Sequence, residues 1–170
     1  MSLLGQDVLV SLKMALGSES LSYAELGKQT GLSASQAHAS VQRLAKSDLV
    51  VGEPRRANSV ALLEFLVHGV KYVFPGNRGP VRRGIPTGHS APPLNELISA
   101  GDEVPLVWAH PEGTVRGETL PPVYKSAPEA ALKDALVYQG LALLDSIRAG
   151  RARERELAAK LLRKLLQEGR

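Results

Sequence analysis

The stretch Leu21–Val50, LSYAELGKQTGLSASQAHASVQRLAKSDLV, contains two helix starts eleven residues apart and a turn between them. Ser22 followed by Glu25, and Ser33 followed by Gln36, have capping-box spacing. In each, the hydroxyl accepts the amide three residues on, and the longer side chain returns to the cap's own amide. Gly31 can take a positive φ and close the first helix without a Cβ clash, which leaves Leu32 to drop into the core beneath the turn. This order predicts a helix at 23–30, a tight turn and a second helix at about 33–46, the pattern of a helix-turn-helix.

At 100° per residue, Ala34, Ala37, Val41, Leu44 and Ala45 fall on one side of the second helix and form its buried stripe. Ser35, Gln36, Ala39, Gln42, Arg43 and Lys46 face the other way, with no acidic residue before Asp48. Small side chains near a helix start allow close entry into a major groove; Gln pairs bidentately with adenine, and Arg with guanine or phosphate. With Ser33 at the helix start, these residues are the candidate DNA-binding set. A polar solvent face is ordinary by itself, and the paired capping boxes with the Gly-Leu-Ser turn give it weight. His38, at the edge of the face, reads as an ordinary exposed side chain.

Residues 4–16 carry Leu4, Val8, Leu9, Leu12, Met14 and Leu16 at mostly i, i+3, i+4 spacing, which predicts an amphipathic helix ended by Gly17. Within 23–30, Gly27 costs ~1 kcal/mol relative to Ala, so close approach of another helix is the expected compensation.

The segment GKQTGLSASQAHASVQRLAKSDLV resembles the helix-turn-helix half of MarR-type and related winged-helix transcription regulators. Their recognition helix ends in an apolar residue, two polar or basic residues and Leu, followed by a link into an apolar strand. Here these are Val41, Gln42, Arg43, Leu44 and then Leu49-Val50-Val51. The resemblance covers about residues 5–70 and implies sequence-directed binding of double-stranded DNA, usually as a two-fold homodimer. VVGEPRRANS departs from it: Gly52 and Pro54 leave room for only a short turn before Asn58 caps another helix, so the wing is expected to be abbreviated. Arg55 and Arg56 stand where a wing tip would reach minor groove or phosphate.

Residues 59–68, SVALLEFLVH, are apolar almost all round and predict a buried helix with Gly69 as its C′ residue. Val70–Phe74 alternates like a short strand stopped by Pro75. Between Pro75 and Pro93 the chain reads as a long irregular segment. Its Arg78, Arg82 and Arg83 are further candidates for phosphate contact or for an anionic ligand, set against the plainer reading of a linker with solvated charges. GNRGPVRRG lacks both phosphate-loop spacings, so no nucleotide site is expected. One or two helical turns are expected at 94–100, ended by Gly101. Strands at 104–109 and 114–120, joined by a turn at His110–Gly113, predict a hairpin with Trp108 in the core.

From Ser126 a long apolar helix is expected to Gly150, then a second from about Arg153 to Gln167, forming an antiparallel hairpin. As the winged-helix resemblance implies, the wide leucine stripe of this hairpin, Leu157, Leu161, Leu162, Leu165 and Leu166, is the expected dimer surface, with packing on its own domain as the competing reading. The fold class expected is therefore α+β, mainly helical: a winged helix-turn-helix at 1–70, a Pro/Gly/Arg-rich segment with short strands and a small β-hairpin at 71–125, and a C-terminal helical hairpin at 126–170.

The 170 residues carry a net charge of +4, and its distribution says more than its total. Residues 1–70 balance six basic against six acidic groups; 71–83 and 148–170 are basic, and 84–147 acidic. Absence of Cys removes disulfides, thiolate metal sites and thiol nucleophiles, and suits a cytoplasmic protein. No leader pattern opens the chain and no apolar run approaches ~20 residues, so no membrane association is expected. His38, His68, His89 and His110 share no ligand spacing with one another or with nearby carboxylates, and neither metal nor cofactor is expected. There is no GxSxG, HExxH or paired-carboxylate pattern, so the chain does not read as an enzyme. The leading expectation is a DNA-binding transcription regulator, a repressor acting as a homodimer. The alternative is a protein-binding module on the same scaffold, such as the antitoxin of a toxin-antitoxin pair.

Overall fold

A computed structural model of the chain describes residues 2–99 and 101–169. The fold is α+β and mainly helical. Helix α1 (Gly5–Leu16) is followed by α2 (Tyr23–Thr30) and α3 (Ala34–Lys46), and both expected capping boxes are formed. The Ser22 Oγ accepts the Glu25 amide, and the Ser22 amide donates back to the Glu25 carboxylate at 3.0 Å, holding that carboxyl below the usual range. Gly31 sits in the left-handed region at φ 75°, as the turn requires. Val10, Leu26, Leu32, Ala37, Val41, Leu44, Leu49 and Val50 form the core of this N-terminal part. Of the expected stripe on α3, Ala34 is exposed and Ala45 only partly buried, while Ser40 is buried in their place.

Strands β1 (Val50–Val51) and β2 (Arg56–Ala57) pair antiparallel as a hairpin of two residues a side. Asn58 then caps α4 (Ser59–Glu64), accepting the Ala61 amide. Here the expectations at 59–74 need correction. Gly69 does not end the helix, and 70–74 is not a strand: a π-helical turn at Phe65–Gly69 carries the rod into α5 (Val70–Val73). The Phe65 ring occupies the space where a Gly69 side chain would project, so glycine serves side-chain packing here and not termination.

The irregular segment expected at 75–93 contains β3 (Val81–Pro86) and a single 3-10 turn, Gly88–Ser90. Periodicity does not reveal β3, because its residues run exposed, exposed, exposed, buried, buried, with no alternation. What makes it a strand is pairing on both edges. Its second half pairs antiparallel with β4 (Leu106–Ala109), and its first half antiparallel with β5 (Val115–Thr119). The expected hairpin between 104–109 and 114–120 is thereby overturned: β4 and β5 run parallel, with Leu106 opposite Glu118, and the three strands close on themselves. Closure demands near contact of backbones. A Cβ on Gly84 would run into the Trp108 carbonyl, and one on Gly113 into the Gly84 backbone. Between β3 and β4 lies α6 (Leu94–Leu97), shorter than the helix expected at 94–100, whose last residue, Ala100, lies outside the described residues.

The long helix expected from Ser126 to Gly150 is broken into α7 (Ala127–Lys133) and α8 (Ala135–Ala149). Asp134 makes the break. Its carboxylate accepts the Leu136 and Val137 amides and receives the Lys13 ammonium at 2.6 Å, interactions that an apolar-spacing pattern does not record. Helix α9 (Ala152–Glu168) returns along α8 as expected. Its leucine stripe, however, is used within the chain. Ala158, Leu162 and Leu166 are fully buried, and Leu157, Leu161 and Leu165 pack against the same core. The competing reading of this stripe, packing on its own domain, thus accounts for Leu162 and Leu166, while Leu157, Leu161 and Leu165 stay partly exposed.

That core also crosses the three expected segments, joining Leu9 and Leu12 of α1, Leu62 and Leu66, Ile85 and Trp108 of the strands, and Leu144 of α8. A buried polar latch reinforces it. The Asp145 carboxylate accepts the Thr87 hydroxyl, the Trp108 indole N–H (each 2.7 Å) and the Arg148 guanidinium (2.6 Å), while Arg148 also donates to the Phe74 carbonyl. Among the described residues no helix is long and apolar enough to cross a membrane.

Candidate nucleic-acid interface

Because α3 starts at a side-chain cap and ends before Asp48, its outer surface is free of carboxylates. Ser33 is committed to the cap: its Oγ accepts the Gln36 amide at 3.1 Å and lies 3.1 Å from the Ser35 Oγ. Gln36 returns its Oε1 to the Ser33 amide at 2.9 Å, which leaves its Nε2 as an outward donor. Ser35, Gln36 and Lys46 are exposed, and Ala39 and Gln42 half-buried. Gln42 lies 3.4 Å from the exposed His38, whose ring meets Tyr23 edge to face. His38 and Gln42 therefore present a joined polar surface on successive turns.

Arg43 does something the helical wheel does not show. Its Nε and terminal nitrogen donate in a fork to the two Asp7 oxygens, at 2.8 and 2.7 Å, and a further bond reaches the Ser40 Oγ. Asp7 is fully buried and also accepts the Leu4 amide. Gln6 donates to the Ser40 Oγ from the same helix. The fork clamps α3 onto α1, so Arg43 orients the candidate face and is not a free hand on it.

The remaining arginines divide by partner. Arg55 lies 3.5 Å from Glu53, and Arg56 is exposed on β2. Arg78 is tied to Glu118 and the Ala149 carbonyl, a structural brace. Arg82 and Arg83 are exposed on β3, and register places Arg83 directly opposite Arg116 of β5. Like charges directly opposite across strands repel. With Arg82 they line an open cleft of about 510 Å³ together with His110, whose Nε2 lies 3.0 Å from Glu129 at the side. Arg116 is absent from the sequence-derived candidates because only the pairing of β3 with β5 brings it beside Arg83. The arrangement offers three guanidinium groups to an anion.

No family model, curated protein or solved structure compared with the chain matches it.

Proposed function

We propose that the protein is a cytoplasmic DNA-binding transcription regulator of winged helix-turn-helix type, reading double-stranded DNA through α3 as a homodimer. The observation that carries this reading is the α3 surface itself. A capped helix start, small residues Ser35 and Ala39, amide side chains Gln36 and Gln42, and Lys46 share one outward side without a carboxylate. Such a surface enters a major groove without electrostatic penalty; the Gln42 amide can pair with an adenine edge, and the Gln36 Nε2 can donate to a base acceptor. In this reading the short β1–β2 hairpin serves as an abbreviated wing with exposed Arg56 as its contact, and Arg82, Arg83 and Arg116 are further phosphate contacts. With Leu162 and Leu166 of α9 buried, the two-fold partner has only the partly exposed Leu157, Leu161 and Leu165 of that helix to use, beside surfaces elsewhere.

The test is fluorescence-anisotropy titration against DNA upstream of the protein's own gene, with a scrambled duplex as competitor. Gln36→Ala combined with Gln42→Ala is expected to cost ~1–3 kcal/mol of specific affinity for each base pairing removed, and Gln42→Ala, which leaves the Ser33–Gln36 capping box intact, is the variant expected to do so at unchanged thermal stability. Equal affinity for both duplexes, or no effect of the double substitution, rejects the reading.

A second reading is supported by the exposed apolar residues Val60 and Tyr72, 75% and 76% exposed, on the rod formed by α4, the π turn and α5. Under it the chain is a protein-binding module, such as an antitoxin, and DNA contact is autoregulatory. Gel filtration with the product of the adjacent gene discriminates: co-elution that Tyr72→Ser abolishes favours this second reading.

A further inference from the structure

Three ionisable side chains far apart in sequence converge where the α8–α9 bend meets the 3-10 turn: His89 of that turn, Glu103 of the loop before β4, and Glu154 in the first turn of α9. One donor atom from each lies within 4.8 Å of the other two. His89 is 3% exposed, and among the described residues neither of its ring nitrogens has a hydrogen-bond partner. The Glu103 Oε1 is likewise buried without a hydrogen bond, with the Arg151 guanidinium 3.4 Å away. The hydroxyl of Ser146, on the adjoining turn of α8, is buried and unsatisfied as well. Native interiors rarely leave buried polar atoms unpaired, and an unpaired imidazole and carboxylate oxygen converging with the Glu154 carboxylate call for an occupant.

We propose that His89, Glu103 and Glu154 form a binding site for a divalent transition-metal ion, with zinc as the first choice. An atom at the centre of a triangle with sides of this length is at most roughly 2.8 Å from each corner, so a small contraction of the side chains reaches Zn–N and Zn–O bond lengths of about 2.0–2.2 Å. Imidazole nitrogen with two carboxylate oxygens is a donor set that suits Zn²⁺, and Mn²⁺ or Fe²⁺ next, over the all-oxygen preference of Ca²⁺ or Mg²⁺. Charge argues in the same direction. Two carboxylates meet at the site with one guanidinium, Arg151, beside Glu103, and a dication neutralises the charge that remains while accepting the lone pair of the neutral imidazole. One Glu154 oxygen already accepts the Arg151 amide at 3.1 Å, which fixes this carboxylate toward the cluster. Three protein ligands leave a position open for water, and the bound ion would fasten the start of α9 to the strand-bearing part of the chain.

Metal-stripped, tag-free full-length protein is titrated with Zn²⁺ alone by isothermal calorimetry, and bound zinc is counted after gel filtration by plasma mass spectrometry. One zinc per chain is expected, with a raised thermal midpoint. Glu103→Gln, the partly exposed ligand and so the safest variant for folding, and His89→Gln should each weaken binding by about 100-fold or more, beyond the loss usual for outer-shell partners. His68→Ala, on a different exposed surface, should bind zinc as the unaltered chain does. No stoichiometric zinc in the unaltered protein, or undiminished binding by a folded Glu103→Gln variant, overturns the proposal and leaves the cluster to an ordinary buried water.

Discussion

Arg43 of α3 grips Asp7 of α1 through two parallel hydrogen bonds of 2.8 and 2.7 Å, and the carboxylate it grips is entirely shielded from water. An uncompensated buried charge is far costlier than an absent pair. Arg43→Ala, which strands Asp7, is therefore expected to destabilise the fold by about 3–5 kcal/mol, read by urea unfolding followed by circular dichroism. The double substitution Asp7→Leu with Arg43→Met should recover much of that loss. A double-variant loss equal to the sum of the two single-variant losses would show the pair to be uncoupled.

The cleft between β3 and β5 makes a different prediction, electrostatic and without consequence for folding. Arg82, Arg83 and Arg116 are exposed, and Arg83 and Arg116 repel across the ladder, so replacing all three by Ala should leave stability unchanged or slightly raised. If they bind DNA phosphates, the slope of log affinity against log salt becomes shallower by about 1 for each phosphate-binding arginine removed. An unchanged slope removes these residues from the interface.

Acid sensitivity is expected to involve Asp134. Partial burial raises its pKa, but the hydrogen bond from Lys13 and the amides of Val137 and Leu136 outweigh this and hold it below the ordinary value of about 3.9. Because the folded-state pKa is depressed, its contribution to stability is present above the unfolded value and is lost as pH falls through the folded one. Asp134→Ala should cost about 0.5–2 kcal/mol at neutral pH through the missing cap of α8. The gap to the unaltered chain should narrow below about pH 4, measured by denaturation at stepped pH.

Asp145 shifts the other way: burial pushes its carboxyl up, against the opposing pull of Arg148, Thr87 and Trp108. Trp108→Phe keeps an aromatic ring in the core while deleting one donor to that carboxylate, and should cost about 1–3 kcal/mol. Thr87→Val, which removes another, should cost a similar amount. Thermal unfolding of the two single variants and their combination would show a non-additive loss, as groups sharing one acceptor are coupled.

Legibility from sequence follows the range of the interactions involved. The two capping boxes, the left-handed Gly31 and the burial of Ala37, Val41 and Leu44 all depend on residues within a few positions of one another, and each is readable. The shortness of the β1–β2 hairpin is readable from Gly52 and Pro54. Strand β3 is not, since its stability comes from partners more than twenty residues away and its own side chains do not alternate. The break at Asp134 is hidden because apolar spacing continues through it, while the cap and the Lys13 ion pair do not belong to that spacing.

The sequence by itself determined the N-terminal helices, their turn and the polar outer side of α3, because capping and amphipathic periodicity are local and each residue's role is set by its neighbours. Tertiary structure alone decided what that side may use. It withdrew Arg43 to Asp7, consumed the α9 leucines in the core, added Arg116 to Arg83, and gathered His89, Glu103 and Glu154 into one cluster. These are contacts between segments distant along the chain, fixed by how apolar surfaces and strand edges are buried together, and no spacing within a short window encodes them.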